Sequence, residues 1–119
     1  SSYYYDKYPA WVSDWNKQGK PRAYGDTAWE LLNPQASYLY GDEDDNEGEV
    51  DLAGFGTTFP HVYGTADNKN FNNYLTFSPA GDELTLDFAK AVIDAESMGQ
   101  DEVTDFLAIS FSSTDYVGH

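Results

Sequence analysis

A chain of 119 residues with 21 acidic and 6 basic side chains, a formal charge of −15 and no cysteine excludes several classes of protein. The charge opposes binding to nucleic acid or to an anionic membrane, since both recruit Lys and Arg. The missing Cys rules out disulfides, thiolate catalysis and Cys-ligated zinc. No apolar run reaches membrane-span length, and no signal peptide stands at Ser1. Apolar residues make up 40% of the chain, with ten Tyr and three Trp among them, so much of the core-forming material carries a polar tip. Neither end reads as a natural terminus, and the expectation is one domain or part of one.

In chain order, Ser1 to Tyr5 reads as extended. Pro9 suits a first helical turn, and Ala10 to Gln18 carries Trp11 and Trp15 four apart on one helical face, with Gly19 as the stop. A second short helix is expected at Asp26 to Leu32, capped by Asp26 and ended by Pro34. Residues 33–81 hold no convincing helix, because Pro34, Pro60 and Pro79 combine with six glycines to break it up. Short strands are expected near Ser37 to Tyr40 and Tyr74 to Phe77. A loop-rich stretch of this length is unusual inside a small domain, so residues 1–77 are expected to decorate a larger body.

From residue 82 the pattern changes. Asp82 and Glu83 load acid into a first helical turn, and Leu84, Phe88, Ala91, Val92, Ala95 and Met98 recur at helical spacing up to a stop at Gly99. Residues Phe106 to Phe111 are nearly continuously apolar, as in a strand buried on both faces of a parallel sheet. Helix, loop and strand make one step of an α/β fold, and one step cannot cover both faces of its strand. Residues 78–119 therefore read as one helix-strand unit of a larger core, and neither segment as an autonomous domain.

Directly after that strand stand Asp115 and His119, where ligand sites lie in open α/β sheets. Four residues of separation let a carboxylate and an imidazole converge if Asp115 opens a helical turn. Both are good zinc ligands, and a hydrolytic zinc site uses about three protein ligands and an open position. At least one further ligand must come from elsewhere. The competing reading makes Asp115 a helix cap and His119 a surface residue, and spacing alone leaves both open.

Residues 105–119, DFLAISFSSTDYVGH, resemble the metal-ligand strand of the alkaline phosphatase superfamily. The resemblance is closest to its nucleotide pyrophosphatase/phosphodiesterase-like branch, and within it to the phosphate-irrepressible bacterial alkaline phosphatases. Ser78 to Gly81 and Asp87 to Ala89 share it. Over residues 1–77 it is diffuse, resting on Ser1 to Tyr4, Trp11-Val12 and Phe59 to His61. The resemblance implies a three-layer α/β/α core and a site of two zinc ions. Asp115 and His119 would hold the ion on the leaving-group and water-activating side, with a later His. The nucleophile and the second ion's ligands would lie outside these residues. Ser113 and Thr114 flank the ligand and receive no nucleophile role.

The implied protein is a bacterial, periplasmic or secreted hydrolase of small phosphate esters, most simply a phosphomonoesterase, with a phosphodiesterase or nucleotide pyrophosphatase as the alternative. Its partners would be the ester substrate and the rest of a parent chain. The 119 residues by themselves would be inactive.

Three other features point elsewhere. Asp42 to Glu49 resembles a calcium loop, but Glu47 occupies the required Gly position and Ala53 the bidentate Glu position. It reads as a solvated acidic loop, with an adventitious cation as the other reading. His61 has no partner at ligand spacing and reads as structural. Gly54 and Gly56 lack the third glycine of a nucleotide loop. The Tyr and Trp content offers a rival from another class, an acidic, aromatic-rich carbohydrate-binding domain without catalysis.

Overall fold

The computed structural model describes residues 5–41, 44, 45 and 47–118. It contains four α-helices, α1 (Ala10–Lys17), α2 (Phe71–Thr76), α3 (Pro79–Ala95) and α4 (Ser113–Gly118), two short 3-10 turns (Lys20–Tyr24 and Gln35–Ser37), and two strands, β1 (Ala28–Trp29) and β2 (His61–Val62). The strands form an antiparallel pair with Ala28 opposite Val62 and Trp29 opposite His61. The described residues are thus helices with a small two-stranded sheet. The extended reading of Ser1 to Tyr4 lies outside the described residues.

The core sits in the segment that looks least regular in sequence. Phe55, Tyr63, Phe71, Tyr74, Leu75 and Ala80 are buried, and Tyr24, Trp29, Ala66, Phe77 and Leu84 pack against them. Phe55 and Tyr74 stack at 4.6 Å with their planes 7° apart. The polar tips are satisfied as the rings go in: Tyr74 donates to the Ala53 carbonyl at 3.0 Å, and Tyr63 donates to Ser78 Oγ at 3.0 Å. Ser78 Oγ in turn donates to the Leu75 carbonyl. Burial pushes the Tyr63 phenol above its ordinary pKa.

Helix α1 forms where its tryptophan spacing predicts and is ended by Gly19 at φ +62°. Its two tryptophans close on α3, with Trp11 and Trp15 5.4 and 5.0 Å from the Phe88 ring. Trp15 Nε1 and Lys20 Nζ both donate to Asp87 Oδ2. The Lys20 ammonium, helped by the indole N–H, holds the Asp87 carboxyl below its usual range.

Several expectations are corrected. The helix expected from residue 82 begins at Pro79, a proline read as a breaker but standing at the first helical position, where its missing N–H costs nothing. Tyr74 to Phe77 is not a strand. Phe71, Tyr74 and Leu75 fall at i, i+3 and i+4 and bury together as the face of α2, so packing overrides the β propensity of the tyrosine and phenylalanine. Asp26 does not cap a helix. Its backbone has φ +60°, its N–H donates to the Gly64 carbonyl, and Tyr63 N–H donates to the Thr27 carbonyl, so the pairing of β1 with β2 replaces the helix expected through Leu32. Ser37 to Tyr40 likewise begins as the end of a 3-10 turn.

The largest correction concerns the apolar run. Residues Phe106 to Phe111 form no strand among the described residues, and Phe106 is 90% exposed. A strand exists only by pairing, and β1 and β2 pair with each other, far from this run in sequence. The chain is correspondingly open. Its Cα radius of gyration is 17.9 Å, against about 13.5 Å for a compact domain of this length.

Candidate metal-ligand turn

The residues that lead to the site are arranged from the core outward. Tyr63 and Ser78 fix the start of α3, and the first turn of α3 receives α4. Ser113, the first residue of α4, is 7% exposed. Its N–H donates to Asp82 Oδ1 at 3.2 Å. Ser112 contributes its carbonyl to Tyr116 N–H at 3.2 Å, while its hydroxyl lies 2.7 Å from Ser110 Oγ. The Tyr116 ring rests 6.0 Å from Phe77. Helix α4 is thereby tied to α3 on one side and to the end of α2 on the other.

Asp115 lies in the first turn of α4 and is exposed. Asp115 therefore does not open the helix, which begins two residues before it and runs to Gly118. His119 lies outside the described residues. Among the described residues no group of three or more His, Asp or Glu is placed to hold a metal ion. The donor types present, a carboxylate oxygen and an imidazole nitrogen four residues apart, suit zinc. Two cavities border α4, one of about 600 Å³ between Trp29, Phe59, His61 and Tyr116 and one beneath Phe77, Asp82 and Ser113. Asp115 lines neither, so its side of the helix faces away from both.

The rival features take structural places. His61 is 8% exposed, its ring lies 5.2, 5.0 and 4.5 Å from those of Trp29, Phe55 and Phe59, and Nδ1 donates to the Phe55 carbonyl at 3.2 Å. In the acidic loop, Asp44 accepts from Phe59 N–H at 2.8 Å and Asp45 from Thr57 Oγ1 at 3.0 Å. Just beyond it Asp51 accepts from Gly56 N–H at 2.8 Å. Asp44 and Asp51 thus hold backbone N–H groups and Asp45 a side-chain hydroxyl, while Asp45 and Asp51 stay exposed to solvent. Asp42, Glu43 and Asn46 lie outside the described residues. The aromatic rings that favoured a sugar-binding reading are largely turned toward one another, as in the Tyr24–Tyr63 and Trp29–Phe59 pairs.

No protein-family model matches the chain, and no solved structure matches it. Among curated proteins it is 42% identical over 120 residues to alkaline phosphatase PhoV of Synechococcus elongatus. It is 40% identical over 122 residues to a protein named calcium-transporting ATPase from Myroides odoratus. It is 38% identical over 120 residues to alkaline phosphatase PafA of Elizabethkingia meningoseptica. Each match takes in 100% of this chain and 22% of the relative, so the chain spans about a fifth of the length of the curated relatives it matches. The likeness read from residues 78–119 therefore extends from end to end, and the chain is consistent with a fragment of an alkaline phosphatase-family protein.

Proposed function

We propose that this chain is part of a two-zinc hydrolase of phosphate monoesters, and that Asp115 and His119 together ligate one of the two ions. The observation that carries the reading is the end-to-end identity to proteins named alkaline phosphatase. The helical turn at Asp115 supports it, because i and i+4 donors on one helix face can converge on one ion. The name shared by those relatives favours monoesters over diesters.

When bound, paired zinc ions supply the positive charge that balances the equatorial and in-line oxygens of a transferring phosphoryl group. The chain cannot supply that charge itself. Its 6 basic side chains are outnumbered by 21 acids, and Lys17, Lys20 and Arg22 are engaged with Asp14, Asp87 and Asp67. Asp115 and His119 would bind and orient. The nucleophile, the third ligand of this ion and the second ion's ligands belong to sequence beyond these residues, within the parent's three-layer α/β/α core. Residues 78–119 would enter that core and residues 1–77 would decorate it near the mouth of the site. By itself the 119-residue chain would not turn over substrate.

The same reading implies a periplasmic or secreted bacterial protein. Among the described residues no helix is long and apolar enough to cross a membrane.

Zinc analysis of the full-length protein with and without Asp115→Ala tests the assignment. Two ions per parent molecule and fewer in the variant are expected, with an aryl phosphate hydrolysed only by the parent. Full zinc content and normal turnover in Asp115→Ala would remove the basis of the assignment.

A further inference from the structure

We infer that Gly81 and Asp82 are positioning residues for the ligand turn, Gly81 setting how closely α4 approaches α3 and Asp82 fixing where α4 begins. The inference rests on the assignment of Asp115 as a zinc ligand.

Helix α4 is six residues long, too short to hold itself by propagation once the cost of nucleation is met. The first N–H groups of any helix lack partners within it. The hydroxyl of the preceding residue, Ser112, is engaged with Ser110 Oγ. The partner for Ser113 N–H arrives instead from 31 residues upstream, as Asp82 Oδ1. A carboxylate there also meets the positive end of the α4 dipole. Asp82 thus serves two helices, as acid in the first turn of α3 and as cap for α4.

Gly81 explains how α4 comes close enough to be capped. Glycine inside a helix is unfavourable relative to alanine, so its presence in the first turn of α3 needs a reason. A Cβ at this position would stand 2.8 Å from the Leu75 carbonyl oxygen and 2.9 Å from Ser113 Oγ. Both are closer than packed atoms tolerate. The Leu75 carbonyl already accepts from Ser78 Oγ in the buried core and resists displacement, whereas the Ser113 hydroxyl can rotate aside. A Cβ would therefore push the first turn of α3 away from the end of α2 and move Asp82 off the Ser113 N–H that it caps, loosening the start of α4 two residues before Asp115.

The test uses the full-length protein and reads zinc affinity by competition with a chelator, alongside the thermal midpoint of the zinc-free form. Asp82→Ala should weaken zinc retention about tenfold, in the range typical of groups that orient a ligand. Asp82→Asn keeps an acceptor oxygen of the same reach and should stay within about threefold of the parent. Gly81→Ala should weaken zinc at least as much as Asp82→Ala. Asp94→Ala, exposed near the other end of α3, should leave zinc affinity unchanged. In the zinc-free form Asp82→Asn should melt close to the parent and Asp82→Ala slightly below it, and the zinc loss in Asp82→Ala should persist when affinity is read per folded molecule, which a merely structural role for the carboxylate would not produce. Parent-like zinc binding in Asp82→Ala, or equal weakening in Asp82→Asn and Asp82→Ala, would overturn the inference, as would equal weakening in Asp94→Ala. If Asp115→Ala itself retains full zinc, the ligand assignment falls instead, and that result is distinguishable because Asp115→Ala is measured in the same series.

Discussion

Residues 53–84 and residues 99–112 draw on the same kinds of side chain and end in opposite environments. In the first, Phe55, Tyr63, Phe71, Tyr74 and Leu75 are all 8% exposed or less, although glycines, asparagines and prolines interrupt the stretch. In the second, Val103, Phe106 and Phe111 are 73, 90 and 51% exposed, although the run is nearly continuous. Rings in the first region meet one another at stacking distance, and each buried polar tip finds a carbonyl or hydroxyl. In the second, no other strand among the described residues supplies a ladder. Burial follows the availability of partners, and apolar density alone does not secure it.

The two regions should separate in experiment, the first governing stability and the second leading into the proposed ligand turn, where the effects should fall on chemistry. The largest expected effect is on chemistry. In the full-length protein, His119→Ala and Asp115→Ala should each lower turnover roughly a thousandfold, a barrier increase of about 4 kcal/mol. The double variant should cost little more than either alone, because two ligands of one ion act as a unit, and excess zinc should partly restore the single variants. Steady-state rates across a zinc titration measure this. A thousandfold loss that also lowered the melting point of the zinc-free protein would blur the separation.

Next comes the core. Phe55→Ala should cost about 3–5 kcal/mol of stability, the usual range for a buried Phe, with zinc content per folded molecule unchanged. His61→Ala should follow it in kind: the ring packs among three aromatics, so its loss should lower the melting point and leave activity per folded molecule within a few-fold of the parent. Denaturation curves paired with zinc analysis decide this, and zinc loss in His61→Ala equal to that in His119→Ala would collapse the distinction between the regions.

A smaller effect separates the environments of the apolar run. In the isolated chain, Phe106→Ser should change stability by no more than about 0.5 kcal/mol, as at any exposed position. In the full-length protein, where the proposed sheet would cover it, the same change should cost several-fold more. Equal, negligible effects in both would remove the case for a buried strand in the parent.

The smallest effect concerns alkaline pH. Burial first, and a hydrogen bond from Tyr24 to Glu83 second, push the Tyr24 phenol up to about 12 from its ordinary 10.0. The folded state then holds this proton more tightly than the unfolded state. The resulting stability is fully present below about pH 10 and is lost as pH rises toward 12. Tyr24→Phe should flatten that part of the stability profile, as followed by melting points between pH 9 and 12. An unchanged slope would assign the alkaline loss to other groups.

How much of this was legible in sequence depended on the range of the interactions. Helix α3 shows in the spacing of its own apolar residues, and α1 in its two tryptophans, because both signals are local. The aromatic core was not legible. It joins Phe55 to Tyr74 and Tyr63 to Ser78, partners about twenty and fifteen positions apart, and no periodicity announces such contacts. Pro79 and Tyr74 misled for a related reason, since each residue's preference depends on whether it stands at a helix start or on a buried helix face. The tie between Asp82 and α4 was equally hidden, because acid in a first helical turn explains itself without a second helix.

The seam between α1 and α3 has a practical consequence. Trp15 donates its indole N–H to Asp87 and lies 5.8 Å from the Lys20 ammonium, so its emission should depend on whether that carboxylate carries a proton. The protein has in this residue a built-in optical reporter. Acid titration followed by fluorescence should show a step below the ordinary carboxylate range, because Lys20 holds Asp87 ionised to lower pH. Trp15→Phe should abolish the step while Trp11 and Trp29 still emit. The docking of one helix on another could then be watched as a colour change, without any label.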